Sequence, residues 1–206
     1  MQSVDRLDTG RRNERPEPSA VRGGIPWWGT RRLAPAAVPV AVILLVIPAS
    51  IAGADPTLVL WLGVFGVLIG QAVSVDLRER RIPNALTYSG TLGVTAVAGL
   101  SGAEALASAV AGAALATILT GVAWWLGRGS LGLGDVKFSA MVGGFVGAPG
   151  VAPSLLFGTG IGAILAVGVL ATGRGRRATF AYGPALAAGV VISLYVTSFA
   201  TAVGQP

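Results

Sequence analysis

The feature that most limits the fold is a series of apolar runs covering nearly everything after residue 32. Their candidate boundaries are 33–54, 57–75, 85–100, 103–126, 138–152, 153–171 and 184–203. A membrane-spanning helix needs roughly 20 apolar residues. The third and fifth runs are short, and the fifth contains "GGFVGAPG", which predicts an irregular or tilted segment. Only 12% of the 206 residues are charged, against about 25% in soluble domains. The expected fold is an all-α, polytopic membrane bundle of about seven helices, with six as the alternative.

Charge in the connections discriminates between these counts. All fifteen Lys and Arg lie in the segment before the first run or in the second, fourth and sixth connections. The intervening connections carry only Asp55 and Glu104. Seven spans reproduce this alternation under the positive-inside rule, with a cytoplasmic N-terminus. Residues 1–32 read as a disordered basic cytoplasmic tail, too polar to bury a core, with Trp27 and Trp28 marking the membrane interface. Nucleic-acid binding is not expected, because no compact basic domain is present. Small-residue faces in "GAALATILTG" and "GTGIGAILAVG" should mediate helix packing.

The chain has no Cys and no His. That excludes disulfides, thiol nucleophiles, a Ser-His-Asp triad and His- or Cys-bound zinc. Acid–base chemistry must use Asp, Glu, Lys, Arg or Tyr. Beyond the tail there are five acids. Asp55 and Glu104 read as solvated loop residues, and Glu79 as a surface partner of its neighbouring arginines.

Asp76 and Asp135 are different. Asp76 ends the second run and Asp135 begins the fifth, so the topology puts both at one depth on one face. Ionisable groups at membrane depth tend to face a bundle interior or a wet cavity. Two carboxylates meeting there would share a proton and titrate as a pair. Such a pair can activate a water and protonate an amide leaving group. The plainer reading is helix capping, which suits Asp135 at the start of its helix.

The surroundings of the two acids are "DLRERRIPNALT", starting at Asp76, and "GLGDVKF", starting at Gly132. Pro83 fixes its own φ, pushes Ile82 toward extended geometry and should start the third helix. Asn84 could cap that helix. Gly132 and Gly134 lack Cβ and would let a neighbouring helix or a substrate strand approach. Lys137 is two residues from Asp135 and shares no helix face with it. It could pair with another carboxylate, contact substrate or anchor at the interface.

Together these elements resemble the prepilin peptidase family, membrane aspartyl proteases that cleave the leader from type IV pilin-like precursors. The family pattern is Asp six residues before Ile-Pro-Asn, then Gly-x-Gly-Asp-x-Lys. Asp76, Ile82, Pro83, Asn84, Gly132, Gly134, Asp135 and Lys137 match it. A third element, an aromatic residue before Gly-Pro, appears in "FAYGPAL" as Tyr182, Gly183 and Pro184. The resemblance covers about residues 57–203 and leaves 33–54 as an extra N-terminal helix.

What the resemblance implies is a two-aspartate endopeptidase of the bacterial cytoplasmic membrane, cutting prepilin or pseudopilin precursors after a glycine. The other matched residues would bind substrate or shape the site, with no metal or cofactor. Many relatives carry a four-cysteine zinc insertion and an N-methyltransferase activity. The absence of Cys implies the peptidase without methylation.

Two rival readings remain at this level. Presenilin-like and signal-peptide-peptidase-like intramembrane proteases also use Gly-x-Gly-Asp, followed by Pro-Ala-Leu, which occurs at 184–186. A small transporter could use the same acids as relay groups.

Overall fold

A computed structural model describes residues 33–128, 131–171 and 181–203. The tail with Trp27 and Trp28, and Phe180 of the third element, lie outside the described residues. A short 3-10 turn precedes α1 (Ala37–Ile51). Then come α2 (Pro56–Glu79), α3 (Asn84–Leu100), α4 (Ala103–Leu126), α5 (Leu133–Ala171) and α6 (Gly183–Val203). No strand occurs among the described residues. Four of these segments are long and apolar enough to cross a membrane, so the chain is an all-α polytopic bundle.

The fifth and sixth apolar runs form one helical element, α5, broken at Gly147 (φ 67°, ψ 172°). A straight helix would carry Gly162 about 40 Å from Asp135. Instead both lie beside Tyr182. A Cβ on Gly162 would press on the Tyr182 ring, and Asp135 acts electrostatically on the Tyr182 phenol. The chain therefore doubles back at Gly147.

Local chemistry explains the break. The positive φ suits glycine. Pro149 opens the second arm, where its missing N–H costs little. The freed Ala148 N–H donates to Ser108 Oγ at 3.3 Å. The irregularity expected in "GGFVGAPG" is thus a reversal. Among the described residues the six helices, with α5 divided at Gly147, make seven helical segments.

Glycine sets how closely these segments approach. A Cβ on Gly70 of α2 would stand 2.6 Å from Val38 Cα of α1. On Gly112 of α4 it would strike the Gly143 carbonyl of α5. Both contacts are to backbone, so neither neighbour can swing away. Among the expected small-residue faces, Gly112, Gly158 and Gly162 do pack, whereas Gly121, Gly160 and Gly168 face open space. Gly70→Leu should destabilise the protein by about 1–3 kcal/mol through overpacking. A lower melting temperature in detergent would register it.

The core joins all six helices, with Leu45 supplied by α1. Phe65, Ile69, Val94, Phe138, Met141 and Val190 are buried there. The Phe65 and Phe145 rings stack with centroids 3.5 Å apart. Many large apolar side chains point outward, among them Leu60, Leu92, Ile164 and Val167. That is the surface a bilayer, not water, would solvate.

Candidate active site

Asp76 and Asp135 come from α2 and α5 and lie within electrostatic range of each other at one end of the bundle. Asp76 is buried, 4% exposed, and its carboxylate acts electrostatically on Asp135. Each is held by a glycine amide. The Gly183 N–H, the first of α6, donates to Asp76 Oδ2 at 2.9 Å. The Gly132 N–H donates to Asp135 Oδ2 at 3.2 Å. The first amides of a helix have no partner within it. Here the starts of α5 and α6 spend one such donor each on a carboxylate.

The glycines now have specific reasons. A Cβ on Gly183 would sit 2.8 Å from Asp76 Oδ2, and one on Gly132 would sit 3.0 Å from Asp135 Oδ2. Gly134 faces the backbone of Ile82, and a Cβ there would stand 3.4 Å from the Ile82 nitrogen. The close neighbour anticipated at Gly134 is therefore the loop between α2 and α3. Ile82 itself is buried in the core.

The capping reading of Asp135 is partly realised. Its carboxylate reaches back to the amide of Gly132, the residue before α5, as in half of a capping box. Asn84 does not cap. The residue preceding α3 is Pro83 (φ −63°, ψ 135°), with no side-chain cap. Pro83 already sets the entry to the helix, which leaves the Asn84 amide free for another task. Its Oδ1 accepts from Lys137 Nζ at 2.8 Å, tying α3 to α5.

Lys137 also stands over the Tyr88 ring, 5.1 Å from its centroid, within cation–π range. Tyr88 follows Asn84 by four residues and so shares its helix face. That four-residue spacing is the sequence signal that marks Tyr88 as a partner of the same site. Lys137→Met should leave the bundle intact and slow any reaction run by the two carboxylates about five- to thirty-fold, equivalent to about 1–2 kcal/mol. Asn84→Leu should do the same. The double variant should be no worse than either, because both remove one tie.

Tyr182 precedes α6 and accepts the Ala185 and Leu186 amides on its carbonyl. Burial, with the Asp135 charge adding, pushes its phenol up to about 12. It stays a neutral hydroxyl at any physiological pH. Pro184 occupies the first turn of α6, where proline is tolerated. Arg80 ends α2 in a left-handed conformation (φ 53°) and acts electrostatically on Asp76. Nothing in the sequence pattern singled it out among its neighbours.

The remaining acids lie elsewhere. Asp55 accepts the Thr57 amide at 2.8 Å and caps α2. Glu79 pairs with Arg81 at 2.8 Å on the surface, and Glu104 is exposed.

Two carboxylates within electrostatic range of each other, beside an Ile-Pro-Asn turn and a Gly-x-Gly-Asp helix start, define a narrow class. The family model described as "Type IV leader peptidase family" matches residues 63–167, just over half the chain. The chain belongs to the type IV leader peptidase family. It is similar to a prepilin leader peptidase/N-methyltransferase of Xanthomonas campestris pv. campestris, 32% identical over 126 residues. That match covers 57% of this chain and 44% of the relative, so less than half of the relative's length is represented. No solved structure matches. The chain thus shares the sequence pattern of a family of leader peptidases. Its several long apolar helices fit a multi-pass membrane protein.

Proposed function

We propose that this protein is an aspartic endopeptidase that removes the basic leader from type IV prepilin-like precursors at the cytoplasmic membrane face. Asp76 and Asp135 share the acid and base roles. One carboxylate takes a proton from water, the water oxygen attacks the scissile carbonyl, and the other carboxyl protonates the departing amide nitrogen. The cut follows a glycine of the leader.

The observation that carries this reading is the convergence of the two carboxylates, each fixed by a glycine amide at a helix start. Arg78, Arg80, Arg81, Arg128 and Lys137 belong to the same end of the bundle. By the positive-inside rule that end is cytoplasmic, where a prepilin leader passes into its apolar helix. Ile82, Pro83, Gly132, Gly134, Tyr182 and Pro184 shape the site, and Lys137 with Asn84 braces it. Residues 57–203 form the peptidase domain and 33–54 an added helix. No methyl transfer is proposed for a chain with no Cys to build a zinc element.

Co-expression with prepilin precursors, read by mass, tests the proposal. The expected product lacks the leader and starts immediately after its terminal glycine. A cut inside the apolar helix would instead favour the presenilin-like reading, which the Pro-Ala-Leu sequence at α6 keeps in view.

A further inference from the structure

Beneath Asp76 an apolar groove of about 470 Å³ runs between α1, α2 and α6. It starts at Pro184, next to the Gly183 amide that holds Asp76, and reaches Val196. Along a helix that is about 18 Å, more than half the roughly 30 Å of bilayer hydrocarbon. Val73, one turn before Asp76, forms part of the wall.

We propose that this groove receives the apolar helix of the substrate as it leaves the carboxylate pair, with α1 as its outer wall. The proposal rests on the peptidase reading, which requires a substrate whose cut bond lies at the pair and whose helix continues into the bilayer. That helix must lie along whatever face of the protein descends from the site, and the groove descends from Pro184. Its lining also suits a helix. Ala37, Ala41, Ala187 and Ala188 contribute small side chains, which let two helix backbones approach closely in lipid. The Tyr195 hydroxyl is the polar side-chain group among the lining residues, and it already donates to the Leu44 carbonyl at 2.6 Å. The occupant therefore needs no polar group.

Most of the wall lies outside residues 63–167; only Ile69 and Val73 fall within that range. The groove thus assigns the added helix α1 a role in selecting substrates.

The test exploits the absence of Cys. Val40→Cys or Ile192→Cys, each in an Asp135→Asn background that retains uncut precursor, is oxidised with a prepilin carrying one cysteine in its apolar helix. A disulfide-linked pair is expected at both positions and not with Ile164→Cys, which faces outward on the second arm of α5. In the active protein, Ala188→Trp should slow leader removal at least ten-fold, while Ile164→Trp leaves it unchanged.

Equal linking at Ile164, or no linking at the groove positions, overturns the proposal. So does Ala188→Trp processing at the parent rate, the result expected if a lipid chain fills the groove. Failure of the parent chain to cut while the groove links would overturn the peptidase reading and leave the docking surface standing.

Discussion

Asp135→Asn should abolish leader removal while leaving the protein inserted and folded. Asn keeps the size of Asp and can still accept the Gly132 amide that anchors Asp135 Oδ2. What it loses is the ability to hold or release a proton. A positioned acid–base group contributes typically 10²–10⁴-fold, so the rate should fall at least about 100-fold. Asp76→Asn should match it, since it retains an acceptor for the Gly183 amide. The double variant should be little worse than either single one, because the two carboxyls act as a unit. Mass analysis of a co-expressed prepilin reads the loss, and an unchanged melting curve shows that folding survives. Processing at the parent rate in either single variant would end the two-aspartate mechanism.

Gly183→Val should also be severe, although no proton-transferring group is touched. The first added carbon would stand 2.8 Å from Asp76 Oδ2 and 3.3 Å from its Cγ, so the carboxylate must move. Misplacing a reacting group by about 1 Å can cost 10²-fold, and a loss near that size is expected here. Gly160→Val serves as control, since nothing lies within 4 Å of a Cβ there. A Gly183→Val protein that folds and cuts at the parent rate would show that the Asp76–amide contact is dispensable.

Much of this site was legible because its elements are local in sequence. Pro83 fixes a dihedral wherever it stands, and the apolar runs needed only counting. Loop charge pointed both acids to one end. The remainder depended on contacts between distant segments. Asn84 looked like a cap because caps are read from neighbours, yet Lys137, 53 residues away, takes its side chain. The Gly183 amide is invisible to any pattern of side chains. The fifth and sixth runs looked like two helices with a loop, whereas one glycine with positive φ turns the chain without one.

That turn governs how deep the chemistry sits. Between Gly147 and Asp135 the first arm of α5 has only about twelve residues, or roughly 18 Å of helix. The hydrocarbon layer is about 30 Å thick. If the reversal reaches the far boundary, the carboxylates hang well short of the near one. The bilayer must then thin around the protein, or water must descend to the pair. Such mismatch costs fractions of a kcal/mol per Å. A single glycine thereby sets a plumb line for the reaction, tying access of its water to the thickness of the surrounding membrane.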